Sequence, residues 1–115
     1  LNTRTKIVDA TQAAGIANSG ATVVSGYFDP LLAAHADRLA ALKADGVKLL
    51  VLIASPENAI LPAAARAELV ASLRAVDYVC ELSDGLTAQV HLEAEDDARF
   101  AALLKHVQAR QTCAY

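Results

Sequence analysis

A chain of 115 residues with 55% hydrophobic side chains holds material for one domain and one modest core, which excludes a disordered chain. Its formal charge of −3, from 10 basic residues scattered among 13 acidic ones, excludes the basic footprint of a nucleic-acid partner. No apolar run reaches the roughly 18 to 20 residues that span a bilayer, which excludes helical membrane insertion and leaves the cytoplasm as the expected setting.

Taken in order, residues 4–17 place Ile7, Val8, Ala10, Ala13, Ala14 and Ile16 at a period near that of a helix, with Gly15 or Gly20 near its end. Residues 21–25 read as a short buried strand, because Thr22, Val23 and Val24 are β-branched. Gly26 to Leu32 is the turn that follows. A helix is expected over 33–44, with Leu39 and Leu42 inward and Asp45-Gly46 closing it, the glycine being suited to a left-handed position.

The run 47–54 is almost wholly apolar, as a central parallel strand covered on both faces requires. Ser55-Pro56-Glu57-Asn58 is a loop, and Pro62 opens a helix through Arg74 whose apolar stripe is Leu69, Val70 and Leu73. Residues 76–82 form the third strand and Ser83-Asp84-Gly85 a turn. Residues 86–92 alternate as a fourth strand, with Leu86, Ala88, Val90 and Leu92 on one side and Thr87, Gln89 and His91 on the other. The acidic run Glu93 to Asp97 suits a helix N-terminus and leads to Phe100, Leu103, Leu104 and Val107. Residues 111–115 are expected to fray.

This alternation is α/β, with helices on both faces of the sheet. Any ligand then belongs at the carboxyl ends of the strands, where Ser25, Gly26, Ser55 and Leu82 converge. Cys80 and Cys113 form no Cys-x-x-Cys pair and are expected as reduced thiols. Leu1 is not an ordinary initiator, so the natural chain is expected to start elsewhere. His91 and His106 lack a partner at metal-ligand spacing and are read as solvated histidines; no metal ligands are assigned.

The strand, glycine and helix at Val23-Val24-Ser25-Gly26-Tyr27-Phe28-Asp29-Pro30-Leu31-Leu32-Ala33-Ala34-His35 can turn backbone N–H groups and a positive helix end toward a phosphate. The stretch resembles the signature Gly-x-Phe-Asp-x-x-His-x-Gly-His of the nucleotidyltransferase superfamily that includes glycerol-phosphate cytidylyltransferases, pantetheine-phosphate adenylyltransferases and ADP-heptose synthases. Gly26, Phe28, Asp29 and His35 stand in register, while Leu32 takes the first histidine position and Ala34 the glycine position. Residues 66–79, an Arg-Ala-Glu helix feeding Val-Asp-Tyr-Val, resemble a second segment of the same family. The resemblance covers residues 20–81.

It implies a single cytidylyltransferase-like domain over 1–115, a Rossmann-like three-layer sandwich with a mostly parallel sheet, the HIGH-type nucleotidyltransferase fold. The implied reaction transfers a nucleotidyl group from CTP or ATP, with Mg²⁺, to a small phosphorylated substrate and releases pyrophosphate. By resemblance His35 is the catalytic candidate, donating to phosphate oxygen. Ser25, Gly26, Tyr27, Phe28, Asp29, Ser55 and Arg66 are the nucleotide-binding candidates. Five of them have a plainer role beside it: a helix-surface or cap histidine for His35, a helix cap or turn clasp for Asp29, packing of the turn for Tyr27 and Phe28, an ion pair for Arg66.

Three departures point to impaired chemistry. Leu32 has no donor, and loss of one transition-state donor costs roughly a hundredfold to a thousandfold in rate. Ala34 adds a methyl group near the nucleotide position. The family's late Ser/Thr-rich motif is replaced by the carboxylates of Glu93 to Asp97, and Ser55 to Leu61 contains no Lys or Arg. The alternatives are a non-catalytic module binding a nucleotide or phosphometabolite, and a self-associating structural domain, since alanine-rich helices allow close contact in a homodimer.

Overall fold

A computed structural model of the chain describes residues 3–93. The expected acidic helix start at 94–97, the helix through Val107, His106 and Cys113 lie outside the described residues. Four strands, Thr22–Gly26 (β1), Leu49–Ile53 (β2), Tyr78–Glu81 (β3) and Val90–His91 (β4), form one sheet in the order β3-β2-β1-β4. All three pairings are parallel. Three helices accompany them: Ala10–Asn18 (α1), Ala33–Leu42 (α2) and Ala63–Ala71 (α3).

β2 is buried at every position, as its unbroken apolar run requires of a strand covered on both faces. One face holds Val24, Val51 and Val79 beneath Leu39 of α2 and Ala67 and Val70 of α3. The other holds Val23, Leu50, Leu52 and Cys80 beneath Ala13 of α1. The two β-α-β crossovers step the same way along the sheet, so right-handed connections put α2 and α3 on one face together. These are the helix layers on both faces that the element order implies.

Several boundaries differ from the sequence expectation. The first helix starts at Ala10 instead of residue 4, because Asp9 and Gln12 form a reciprocal capping box: Gln12 N–H donates to Asp9 Oδ1 at 2.8 Å and Asp9 N–H to Gln12 Oε1 at 3.1 Å. Ahead of it, Thr3–Lys6 is a 3₁₀ turn and Ile7 bridges to Val79 beside β3. α2 ends at Leu42, and Lys43 leaves it in an extended conformation. Gly46 does adopt a left-handed φ of 76°, in the turn that follows. α3 ends at Ala71, and Leu69 is exposed; the buried side of that helix is Arg66, Ala67, Val70 and Ala71.

The alternation over 86–92 does not make one long strand. Only Val90–His91 pairs, and Leu86 and Ala88 pack on the α1 face while Val90 and Leu92 pack on the other. The segment before β4 crosses under the sheet as a loop, so a period-2 pattern there changes face midway.

Asp77 fastens the opposite, amino ends of the strands. Its Oδ2 accepts from Lys43 Nζ at 2.6 Å and from Leu49 N–H at 2.8 Å, and Lys48 lies 4.0 Å from Oδ1. Burial pushes its carboxyl up, but the Lys43 hydrogen bond, the Leu49 N–H and the two ammonium charges outweigh it and hold the group below the ordinary aspartate range.

Candidate functional site

Strand order reverses beside β1: β2 and β3 extend to one side of it, and β4 returns to the other. Such a reversal leaves a crevice at the carboxyl ends, between loops that depart toward opposite faces. The loop from Gly26 to Leu32 leaves β1 there and enters α2.

Local packing explains this loop. Phe28 is fully buried with a positive φ of 50°, and its ring folds back over Gly26. A Cβ on residue 26 would lie 2.7 Å from two of its ring carbons, so glycine is required there by the ring. The Phe28 ring also meets His35 edge-on, with centroids 5.3 Å apart. The Asp29–Pro30 peptide is cis.

His35 is buried at 4% exposure, and its Nδ1 accepts from the Leu32 N–H at 2.9 Å. An accepting Nδ1 means that the neutral ring carries its proton on Nε2. The cap role weighed beside the phosphate role is thus the one with a visible partner. Leu32 is 44% exposed and gives α2 no side-chain cap, and Ala33 and Ala34 are exposed in the first turn.

Asp29 clasps the loop before α3, Oδ2 accepting from Ile60 N–H at 2.7 Å and Oδ1 from Leu61 N–H at 2.8 Å. Among the described residues Arg66 makes no ion pair. At 1% exposure it donates from Nε to the Leu61 carbonyl, from one terminal nitrogen to the Tyr27 and Ala54 carbonyls at 2.9 and 2.7 Å, and from the other to Ser55 Oγ at 3.1 Å. These bonds join the ends of β1 and β2. Tyr27, Asp29, Ser55 and Arg66 are therefore brought together, through backbone and hydroxyl oxygens.

On the α1 side of the same strand ends the binding candidate Ser25 meets two residues not expected beside it, His91, read from the sequence as solvated, and Glu93. Ser25, buried at 2% exposure, donates from Oγ to Glu93 Oε2 at 2.9 Å and sits 3.0 Å from His91 Nδ1. Ser25 and His91 are register partners across β1 and β4. The available signal was the spacing of His91 and Glu93, which puts two polar side chains on one strand face; the pairing of that strand with β1 is what makes it matter.

A separate cleft of about 470 Å³ opens at the carboxyl end of β3, among Ile7, Ala67 and Leu82 and the carboxylates of Asp9, Glu68 and Glu81. Burial, then Glu81 and Asp9, push the Cys80 thiol there up, so it is a poor nucleophile. Leu82, expected among the converging strand ends, lines it; His35 and the nucleotide-binding candidates do not, and its acids disfavour an anion. Among the described residues no three His, Cys, Asp or Glu side chains gather to hold a metal, and no helix is long and apolar enough to cross a membrane. No protein-family model matches the chain, and no curated protein does.

Proposed function

We propose that this chain is a nucleotidyltransferase-like domain that holds a nucleotide or phosphorylated metabolite at the carboxyl end of β1, with transfer from CTP or ATP impaired. The observation that carries the reading is the reversal of strand order beside β1, with the Gly26–Leu32 loop leading into an α2 whose N-cap has no side-chain acceptor. The N–H groups of Ala33 and Ala34, exposed residues in the first turn of α2, are the donors for phosphate oxygen, aided by the positive helix end.

Impairment follows from what the other candidates are already doing. Both oxygens of Asp29 are held by backbone, and four of the five Arg66 N–H groups face protein acceptors. With no protein cage for Mg²⁺ among the described residues, the ion would enter with the phosphates it chelates.

The test is a calorimetric titration of ATP and of CTP, each with Mg²⁺, alongside an assay for pyrophosphate release. Saturable binding of one nucleotide without turnover is expected; no binding of either at millimolar concentration refutes the reading. Leu32→His with Ala34→Gly changes two exposed positions at no cost to the core and restores the donor and the space. It should raise pyrophosphate release, by up to about a hundredfold for one recovered donor. If it gains neither binding nor turnover, the account of impairment is wrong.

A further inference from the structure

The contacts among Glu93, Ser25 and His91 have a single consistent direction. A serine hydroxyl carries one proton, and the Glu93 carboxylate, which can only accept, takes it. Ser25 Oγ is then an acceptor toward His91, so Nδ1 of the neutral ring must be the protonated nitrogen. That leaves a lone pair on Nε2, the opposite tautomer to His35. Exposure is graded along the chain: Ser25 2%, the Glu93 side chain 19%, the His91 side chain 65%. A buried serine and a half-buried acid hold one edge of an imidazole whose remainder faces solvent.

Resting on the reading of these strand ends as a ligand site, we propose that His91 Nε2 accepts a hydrogen bond from a hydroxyl of a sugar or polyol group. Ser25 and Glu93 are positioning residues that fix its tautomer and ring plane. A fixed lone pair suits a donor, and a ligand hydroxyl is one. A phosphate ester ionised above its second pKa of about 6 offers only lone pairs in return, and the Glu93 carboxylate, 3.9 Å from Nδ1, adds like charge behind the ring. A metal finds no set of three ligating side chains here among the described residues. The domain thus divides its ligand by chemistry: anion toward the first turn of α2, hydroxyl toward β4.

The test uses the full chain labelled with ¹⁵N, at a pH where imidazoles are neutral. Long-range ¹H–¹⁵N spectra should place the His91 proton on Nδ1 in the wild type. Ser25→Ala should lose that preference, and so should Glu93→Gln, whose amide can donate as well as accept. D-Ribose should then move the His91 Nε2 resonance of the wild type and bind about five- to tenfold more weakly to Ser25→Ala. Methyl phosphate, a dianion without a P–O–H donor at that pH, should leave that resonance in place. A wild-type proton on Nε2, a Ser25→Ala variant with the wild-type tautomer, or a resonance that answers to methyl phosphate and not to ribose overturns the proposal. The Ala33 and Ala34 amides report separately: if ATP and CTP leave them unmoved, the phosphate reading fails while the ribose result stands.

Discussion

Replacing Arg66 by Met is the sharpest test of what this arginine does. Methionine fills the space of the stem and removes four donors at once. The Ala54 carbonyl is closed off and cannot be rehydrated, so it alone should cost about 1 to 3 kcal/mol as an orphaned acceptor. Tyr27, Leu61 and Ser55 are partly open, and water replaces their lost bonds at a few tenths of a kcal/mol to about 1 kcal/mol each. Against this, the variant no longer buries a guanidinium that lacks a carboxylate partner, which gives back part of the loss.

The expected balance is a destabilisation of about 3 kcal/mol, a fall of roughly 10 to 15 °C in Tm for a domain of this size. Urea unfolding followed by far-ultraviolet circular dichroism measures it, with an unchanged m-value confirming that stability alone moved. Arg66→Lys, whose ammonium can reach some of the carbonyls but not span them, should fall about midway. A Met variant within about 0.5 kcal/mol of wild type refutes the reasoning. If that variant also lost nucleotide binding, Arg66 would be the ligand's cation after all.

Gly26→Ala would drive a methyl group to within 2.7 Å of a ring that is fully buried and cannot step aside. The expected cost is about 1 to 3 kcal/mol, seen as a lower urea midpoint and largely recovered by adding Phe28→Leu. Asp77 sets an acid limit. Its folded value lies below that of an ordinary aspartate, about 3.9, so its contribution is complete above that pH and is lost as the pH falls through the folded value. Asp77→Asn should therefore lower the urea midpoint near neutral pH and flatten its decline below about pH 4; a decline as steep as that of the wild type counts against Asp77 as the source.

Elements with strong local causes were legible in the sequence. The apolar run at Val47 to Ala54 could only be a covered central strand, and β2 is that strand. Pro62 marked the start of α3 because a proline fits where no helical N–H is needed, and it is the N-cap. What failed depended on tertiary context. Residues 86–92 have a strand's period, yet nothing local says where the chain changes face, and only two of them pair. The first helix was drawn too long because Ile7 and Val8 fit a helical period, while the Asp9 and Gln12 pair that starts it went unweighed.

At the candidate site the sequence offered side chains but could not name their partners. Those of Asp29 are backbone N–H groups 31 and 32 residues away, and those of Arg66 are mostly carbonyls, which every residue carries. The division within the signature follows from that. Gly26, Phe28, Asp29 and His35, which stand in register with the family pattern, each pack or bond to hold the loop in shape. Leu32 and Ala34, which depart from it, are exposed, and Leu32 meets His35 through its backbone. A sequence freed from a need for transfer chemistry but still required to fold would change in that order: side chains that only meet ligand go first, and side chains that also build the loop stay. On the proposed reading, the two exposed positions are where substitution should change transfer, and Arg66 and Gly26 are where it should change folding.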